Sequence, residues 1–375
     1  MPNTISKLPF YVKLSCTLIT ILLIGWFAII GQTVLIPLIL GFIFSVLLVP
    51  SCNFLERYFY LPRTVASIIT TVICFGIIFG TFYIIILQII GVSEEWPAFQ
   101  KQIIKLIENI QHWISKNYGI SSRKQLQYVN DNISKTFNLG TILVEKIFES
   151  LTRYSILILF TFFYMLFILI YRRHLVRFLF YIFKTQDYAS LLSVIYTTQK
   201  MVKRYLVGLI IQISIVFILT FCTLNFLGIK YSFLIALVTA VFNVIPYVGI
   251  TSSLIIASII TFATSSPNDV ILLVISYFII HAIDANIVMP KIVGSKVKIN
   301  SLIVIIGLVI GELIWGIMGM FLAIPILALC KIVFDHVPEL KPWGFLLGED
   351  KADKLNPDIE TYFTKRPRIF KKNIK

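Results

Sequence analysis

Residues 242–249 read FNVIPYVG and lie in the middle of a long apolar run, residues 231–263. Three residues are unusual in a segment otherwise suited to lipid. Asn243 carries an amide, Pro246 has no backbone N–H, and Gly249 has no side chain. Lipid offers no partner for the backbone groups that a proline frees, so an isolated spanning helix gains nothing from these residues. The stretch therefore predicts that the chain turns back inside the membrane and that the turn forms part of a transport site.

The composition of the chain indicates a membrane protein. Of its 375 residues, 58% are hydrophobic and 14% are charged, whereas a soluble domain averages about a quarter charged residues. Apolar runs of about 18 residues or more recur along the chain, and they are continuous rather than alternating, which favours helices over a β-barrel. The predicted fold class is an all-α polytopic membrane protein.

Charge and motifs exclude several other classes. The net charge is +15, but Lys and Arg lie between and after the apolar runs, as the positive-inside rule expects, so we predict no nucleic-acid partner. The sequence contains no HExxH, GxSxG or GxxxxGK[ST] motif, which argues against an enzyme or an ATP-driven pump. The five cysteines have no metal-ligand spacing, so neither a metal site nor a cofactor is predicted.

The apolar pattern divides the chain into five regions. They are residues 1–91 with three spans (14–31, 34–52 and 65–91), an amphipathic helical insert outside the bilayer at 92–150, a fourth span and a basic cytoplasmic helix at 151–204, a transport core at 205–347, and a basic polar tail at 348–375. The core contains two interrupted segments, 231–263 and 299–334, which flank an ordinary span.

Two topologies compete for these two segments. If every apolar block spans once, the chain has eight spans, and Lys291, Lys296 and Lys298 fall outside, against the positive-inside rule. A continuous helix of 33 residues would also measure about 50 Å, longer than the hydrocarbon core of about 30 Å. If both segments enter and leave on one face, six full spans and two re-entrant hairpins remain, and the lysines and both termini are cytoplasmic. We favour the hairpins, with eight spans as the alternative.

Polar residues in this core suggest where a site would lie. Interrupted segments in corresponding positions point to the binding site of a transporter, and ionisable side chains inside spans indicate function. Glu312 lies in the second break, GELIWGIMG, and could carry a proton or bind a cation; exposure at an interface is the alternative. His281 and Asp284 are three residues apart and can share a helix face. For Asp284, a surface acid at the end of its span is the alternative.

Four stretches of the sequence resemble the autoinducer-2 exporter family of bacterial membrane proteins, the PerM-like permeases. They are NVIPYVG, HAIDANIVMPKIVG, LIVIIGLVIGELIWGIMGMFLAIPILAL and KPWGFLLG, and the resemblance covers about residues 200–347. It implies a homo-oligomeric, multi-pass protein of the bacterial inner membrane that transports a small solute. Members of the family have been associated with export of autoinducer-2 and with sodium–proton exchange. Where the family usually has a Glu-Gly pair, this chain has Asp284 and Ala285.

The resemblance and the residue argument together give the predicted site. The substrate- or ion-binding residues are Asn243, Pro246, Tyr247, Gly249, His281, Asp284, Asn286 and Glu312; the hinge residues are Pro290, Gly294, Gly311, Gly316 and Gly319. The predicted function is an exporter or permease of a small molecule such as autoinducer-2, gradient-coupled or facilitative. A sodium/proton antiporter and a non-transporting membrane scaffold are the alternatives.

Overall fold

The computed structural model describes residues 9–94, 139–182, 188–245, 248–289 and 299–349. Within these ranges the regular elements are helices, and the one β-type contact is an isolated bridge between Ile299 and Gly348. The predicted all-α class is therefore confirmed. Most of the predicted insert, 95–138, and the predicted tail from residue 350 onwards lie outside the described residues.

The described residues form the following helices. They are α1 (Phe10–Ile30), α2 (Gln32–Tyr58), α3 (Arg63–Glu94), α4 (Leu139–Ile182), α5 (Tyr188–Phe226), α6 (Ser232–Phe242), α7 (Val248–Thr264), α8 (Pro267–Ile283), α9 (Ser301–His336) and α10 (Lys341–Leu347). A π-helical turn, Asp284–Val288, continues α8, and a 3-10 turn, Pro338–Leu340, precedes α10.

Six described segments are long and apolar enough to cross a membrane. They are Gln32–Tyr58, Arg63–Gly91, Tyr154–Ile182, Leu191–Phe226, Asn268–Val288 and Ser301–His336. The first predicted span corresponds to α1, whose apolar part, Leu14–Ile30, is shorter. The basic stretch 172–204 does not form a separate helix, because it supplies the end of α4 and the start of α5.

The second interrupted segment, α9, folds back on itself. Gly316 has φ 61° and ψ −141°, a conformation that only glycine adopts readily, and the helical path breaks there. The backbones of Gly311 and Gly319 then lie so close that a Cβ on either residue would overlap the carbonyl oxygen of the other. Further from the turn, Gly307 faces the Leu327 side chain. Residues 301–315 and 317–336 are thus two antiparallel arms, called here the second hairpin.

The first interrupted segment also folds back. A Cβ at Gly249, in the first turn of α7, would overlap the carbonyl oxygen of Phe242 at the end of α6. Ile235 of α6 and Ala257 of α7 lie about equally far from this turn and belong to one buried cluster. Helices α6 and α7 therefore pack antiparallel and form the first hairpin.

Several helix ends meet at one end of the bundle, called here the basic end. Arg172 of α4 forms an ion pair with Glu56 of α2, and the Ser193 hydroxyl of α5 lies 3.3 Å from Nε2 of His336 in α9. The end of α4 and the start of α5 are separated by residues 183–187 alone and therefore lie at the same end of the bundle. Arg172 is near the end of α4 and Ser193 is near the start of α5, so both contacts lie there. The basic residues concentrated here are Arg57, Arg63, Arg172, Arg173, Arg177, Lys200, Lys203 and Arg204.

The two hairpins start from opposite ends of the bundle. Helix α3 begins at Arg63, beside the end of α2, and its far end contacts the first hairpin: the Tyr231 hydroxyl donates to the Gly91 carbonyl oxygen at 3.0 Å. The second hairpin begins at the basic end, where it also finishes. There the backbone N–H of Asn300 donates to the Leu347 carbonyl oxygen at 2.9 Å. The two hairpins thus start from opposite ends of the described bundle, and their entry from opposite faces of a membrane stays a prediction.

Candidate functional site

The turn of the first hairpin places an amide inside the bundle. Helix α6 ends at Phe242, and Asn243 follows it with φ −63° and ψ −7°. Because the close approach of Gly249 keeps this turn tight, Asn243 stays between the helices and is only 6% exposed.

Asp284 lies where α8 widens into its π-helical turn. In this turn the backbone N–H of Met289 donates to the Asp284 carbonyl oxygen. Single π-helical turns within α-helices occur frequently at functional sites. Asp284 is 4% exposed, so it is a buried acid and not a surface acid at the end of its span.

Two amides hold the Asp284 carboxylate. Nδ2 of Asn243 donates to Oδ2 at 2.9 Å, and Nε2 of Gln212, on α5, lies 3.2 Å from Oδ1 and 3.3 Å from Oδ2. Gln212 is also 6% exposed. The ion pairs found in the described part of the chain do not involve Asp284, so neutral amides alone hold its negative charge there.

A cavity of about 50 Å³ lies against this carboxylate. A cavity needs about 10–15 Å³ of such volume to hold one water, so this space suits an ion or a few waters. The lining residues are Tyr205, Leu209, Gln212, Asn243, Val244, Ile250, His281, Asp284, Ala285, Met289 and Ile324.

Apolar packing surrounds the cavity on two sides. Tyr205, Leu209 and Ile324 line the cavity and belong to a buried cluster that continues into α2 and the second hairpin. On the other side, Tyr277 lies one helical turn before His281 and belongs to the cluster formed by α5, α6, α7 and α8. The Tyr277 hydroxyl is hydrogen-bonded to Thr239 of α6. Two apolar clusters therefore border the cavity beside Asp284.

His281 lines the same cavity and has an unusual ring nitrogen. Its Nδ1 atom is buried and has no hydrogen-bond partner among the described residues. A buried polar atom without a partner costs about 1–3 kcal/mol, so such an atom needs an explanation. A water or an ion's water in the cavity would supply the missing partner.

The other predicted residues lie apart from this cavity or outside the described chain. Asn286 is exposed, and its Nδ2 donates to the Ala282 carbonyl oxygen at 2.8 Å. Glu312 is exposed on the first arm of the second hairpin and is absent from the described lining. Gly311, Gly316 and Gly319 form the turn of that hairpin. The remaining four, Pro246, Tyr247, Pro290 and Gly294, lie outside the described residues.

The turn of the second hairpin, at Gly316, contributes no residue to the described lining of the cavity. Near this turn, Nε1 of Trp315 donates to the Ala28 carbonyl oxygen of α1 at 2.9 Å. The second hairpin reaches the cavity through Ile324, on its second arm. The site therefore combines the first turn with the arm, and not the turn, of the second hairpin.

Gln212 is the site residue that sequence reasoning missed. It stands in the apolar stretch LIIQISIVF of α5, where a single amide is compatible with ordinary packing. The sequence feature that could have indicated Gln212 is its position as a single amide near the middle of a long span, because polar side chains at that depth need a partner. The partner, Asp284, is 72 positions further along the sequence.

The described part of the chain is a helical bundle with five unbroken segments long and apolar enough to cross a membrane, two segments that fold back, and a buried carboxylate beside a cavity. This combination is typical of a polytopic membrane transporter. The chain belongs to the AI-2E family of transporters, since residues 17–339 match the family model described as AI-2E family transporter.

Curated relatives agree with this family. The chain is 27% identical to "Putative transport protein YrrI" of Bacillus subtilis over 315 residues, which are 81% of this chain and 87% of the relative. It is 25% identical to "Putative transport protein YueF" of the same organism over 325 residues, 82% of this chain and 85% of the relative. It is also 36% identical to "Putative permease PerM" of Escherichia coli over 63 residues, 17% of this chain and 18% of the relative.

Proposed function

We propose that this membrane transporter is gradient-coupled and that Asp284 binds the coupling cation or proton. The observation that carries the proposal is a buried carboxylate, held by neutral amides and facing a cavity. A negative charge in a low-dielectric interior is costly unless a positive charge reaches it. Binding a cation or a proton removes that cost, and releasing it restores the cost, so the loaded and unloaded sites favour different conformations.

The size of the cavity separates the coupling ion from the transported solute. Sites for metabolite-sized ligands measure about 300–1,000 Å³, and the cavity beside Asp284 measures about 50 Å³. In this conformation the site therefore suits an ion. A solute such as autoinducer-2, exported down or against its gradient, would bind in a state in which the apolar cluster around Tyr205 and Ile324 has opened.

The proposed orientation places the basic end in the cytoplasm. Lys and Arg concentrate at that end, and short cytoplasmic loops carry an excess of these residues. In the bacterial inner membrane, the second hairpin would then enter and leave on the cytoplasmic face, the first hairpin on the opposite face, and both termini would be cytoplasmic. Apolar side chains of α1 such as Leu22 and Trp26 are exposed and would face lipid or a second copy in a homo-oligomer.

The transport assay that tests this function uses purified protein in liposomes with imposed sodium and proton gradients. We expect movement of a solute to depend on one of these gradients, with autoinducer-2 as the first solute tested. Sodium-driven proton movement without any organic solute would instead establish an antiporter. Absence of every gradient-dependent flux would contradict the proposal and favour a scaffold that binds partners through residues 92–150.

Glu312 gives a prediction that separates the two acidic candidates. Because its side chain is exposed and lies away from the cavity, we expect Glu312→Gln to retain at least about half of the gradient-driven flux, since exposed substitutions usually change free energies by less than about 0.5 kcal/mol. Initial rates in the same liposomes measure this. A complete loss of flux in Glu312→Gln would place the second turn, and not the cavity, at the centre of coupling.

A further inference from the structure

Three buried polar side chains meet in the cavity from three different segments. Gln212 comes from α5, Asn243 from the turn of the first hairpin, and Asp284 from the π-helical turn. Each is at most 6% exposed. We propose that these three residues are the ligands of one monovalent metal cation, with Gln212 as the selectivity-determining ligand. The inference rests on the proposed function, because it specifies the ion that the Asp284 site takes.

The amide side chains allow the site to exist with and without the cation. An amide has N–H donors on one side and a carbonyl oxygen on the other, so a half-turn of its terminal group changes a donor into an acceptor. In this structure the N–H groups of Gln212 and Asn243 point at the carboxylate. Turned over, the same groups would direct two carbonyl oxygens toward a cation held beside Asp284.

The ligand atoms determine the kind of cation. Carboxylate and amide oxygens are hard ligands that suit hard cations and not thiolate-seeking metals. Asp284 is the single acidic residue in the described lining of the cavity. One negative charge neutralises a monovalent cation, whereas a divalent cation would leave a net positive charge in an apolar interior, which is costly.

The remaining volume of the cavity and the buried His281 nitrogen would accommodate a water bound to the cation. The two amide oxygens and the carboxylate provide three or four ligands, and the cavity of about 50 Å³ leaves room for an ion with a water. His281 lines this cavity, and its Nδ1 is buried without a described partner. It would accept or donate a hydrogen bond with the water of the bound ion, which explains an atom that the protein alone leaves unsatisfied.

Such a site connects ion binding to motion of the first hairpin. Asn243 belongs to the hairpin, whereas Gln212 belongs to α5, which also packs against the second hairpin. A cation shared by both amides adds attraction between these segments, and its release removes that attraction. The ligand set therefore supplies the differential affinity that a coupled transporter needs between its states.

The test compares cation binding to the purified full-length protein with and without the Gln212 oxygen. Binding of radioactive sodium is measured directly, and lithium and potassium are used as competitors. For Gln212→Met, which keeps the length of the side chain but removes the amide, we expect sodium affinity to fall at least about tenfold, the equivalent of about 1.4 kcal/mol, and the order of preference among the three ions to change. Ser214→Ala, an exposed change on the same helix, should bind sodium as the wild type does.

A second variant gives a result that a purely structural role would not produce. Gln212→Glu adds a second negative charge, so we expect it to bind calcium at concentrations where the wild type does not, because calcium sites use several carboxylates. Two results would overturn the inference. One is that Gln212→Met binds sodium within twofold of the wild-type affinity, and the other is that folded Gln212→Glu does not bind calcium. If flux still required Asp284 in either case, the proposed function would stand without this ligand set.

Discussion

Replacement of Asp284 with asparagine is expected to abolish gradient-coupled transport. The substitution keeps the size of the side chain and one carbonyl oxygen, but it removes the negative charge that holds the ion against the cavity. Hydrogen bonds to a charged group are worth about 1.5–3 kcal/mol, and a loss of this size in ion binding corresponds to about a 10- to 150-fold lower affinity. Gradient-driven flux in liposomes should fall to the level of protein-free vesicles.

Two matched variants make this result specific. Asp284→Glu keeps the charge and should retain measurable flux with altered ion affinity, since its carboxylate extends further into the cavity. Glu339→Gln removes an exposed carboxylate from the 3-10 turn before α10 and should have wild-type flux. If Asp284→Asn transported at wild-type rates under the same gradients, the carboxylate would have no coupling role.

Replacement of Gly319 with alanine is expected to disrupt the second hairpin. The added Cβ would overlap the carbonyl oxygen of Gly311, a backbone atom that cannot move without separating the two arms. Overpacking against side chains costs about 1–3 kcal/mol, and a backbone contact relaxes less, so we expect the free energy of unfolding to fall by about 3 kcal/mol or more. The melting temperature and the yield of monodisperse protein in detergent measure the effect.

A glycine in open surroundings provides the control for this substitution. A Cβ at Gly76, in α3, would meet no atom within 4 Å, and alanine also favours a helix by about 1 kcal/mol over glycine. Gly76→Ala should therefore be as stable as the wild type or more stable. Equal stability of Gly319→Ala and Gly76→Ala would contradict the close approach of the two arms.

The two breaks were predictable from sequence because backbone chemistry is local. Long apolar runs are interrupted by Pro246 and Gly249 in the first segment and by the glycines around Trp315 in the second. Lipid offers no hydrogen-bond partner for the backbone groups at such a break, so a few residues were enough to predict that each segment folds back. The burial of Asp284 is shown by the structure; its role in transport stays a prediction, based on the cost of an acid inside a span.

The composition of the site could not be read from the sequence, because it depends on which helices pack together. Gln212 and Asp284 are 72 positions apart, and no local pattern joins them. Asn286 and Glu312, which the sequence also proposed for the site, lie on exposed helix faces outside the described lining of the cavity. The basic residues between the fourth and fifth apolar runs do not end the helices, because α4 continues to Ile182 and α5 begins at Tyr188.

The accessibility of two engineered cysteines tests most directly whether the two hairpins enter the membrane from opposite faces. The proposed ion site at Asp284 depends on this topology, because it lies between the turn of the first hairpin and the second arm of the second hairpin. In a background without the five native cysteines, Asn268→Cys and Ser295→Cys are treated in intact cells with a maleimide reagent that does not cross the membrane. We expect labelling at residue 268, at the exposed start of α8, and none at residue 295 until the membrane is permeabilised. External labelling at residue 295 would mean that the first segment crosses the bilayer once, and the double-hairpin topology would then be wrong.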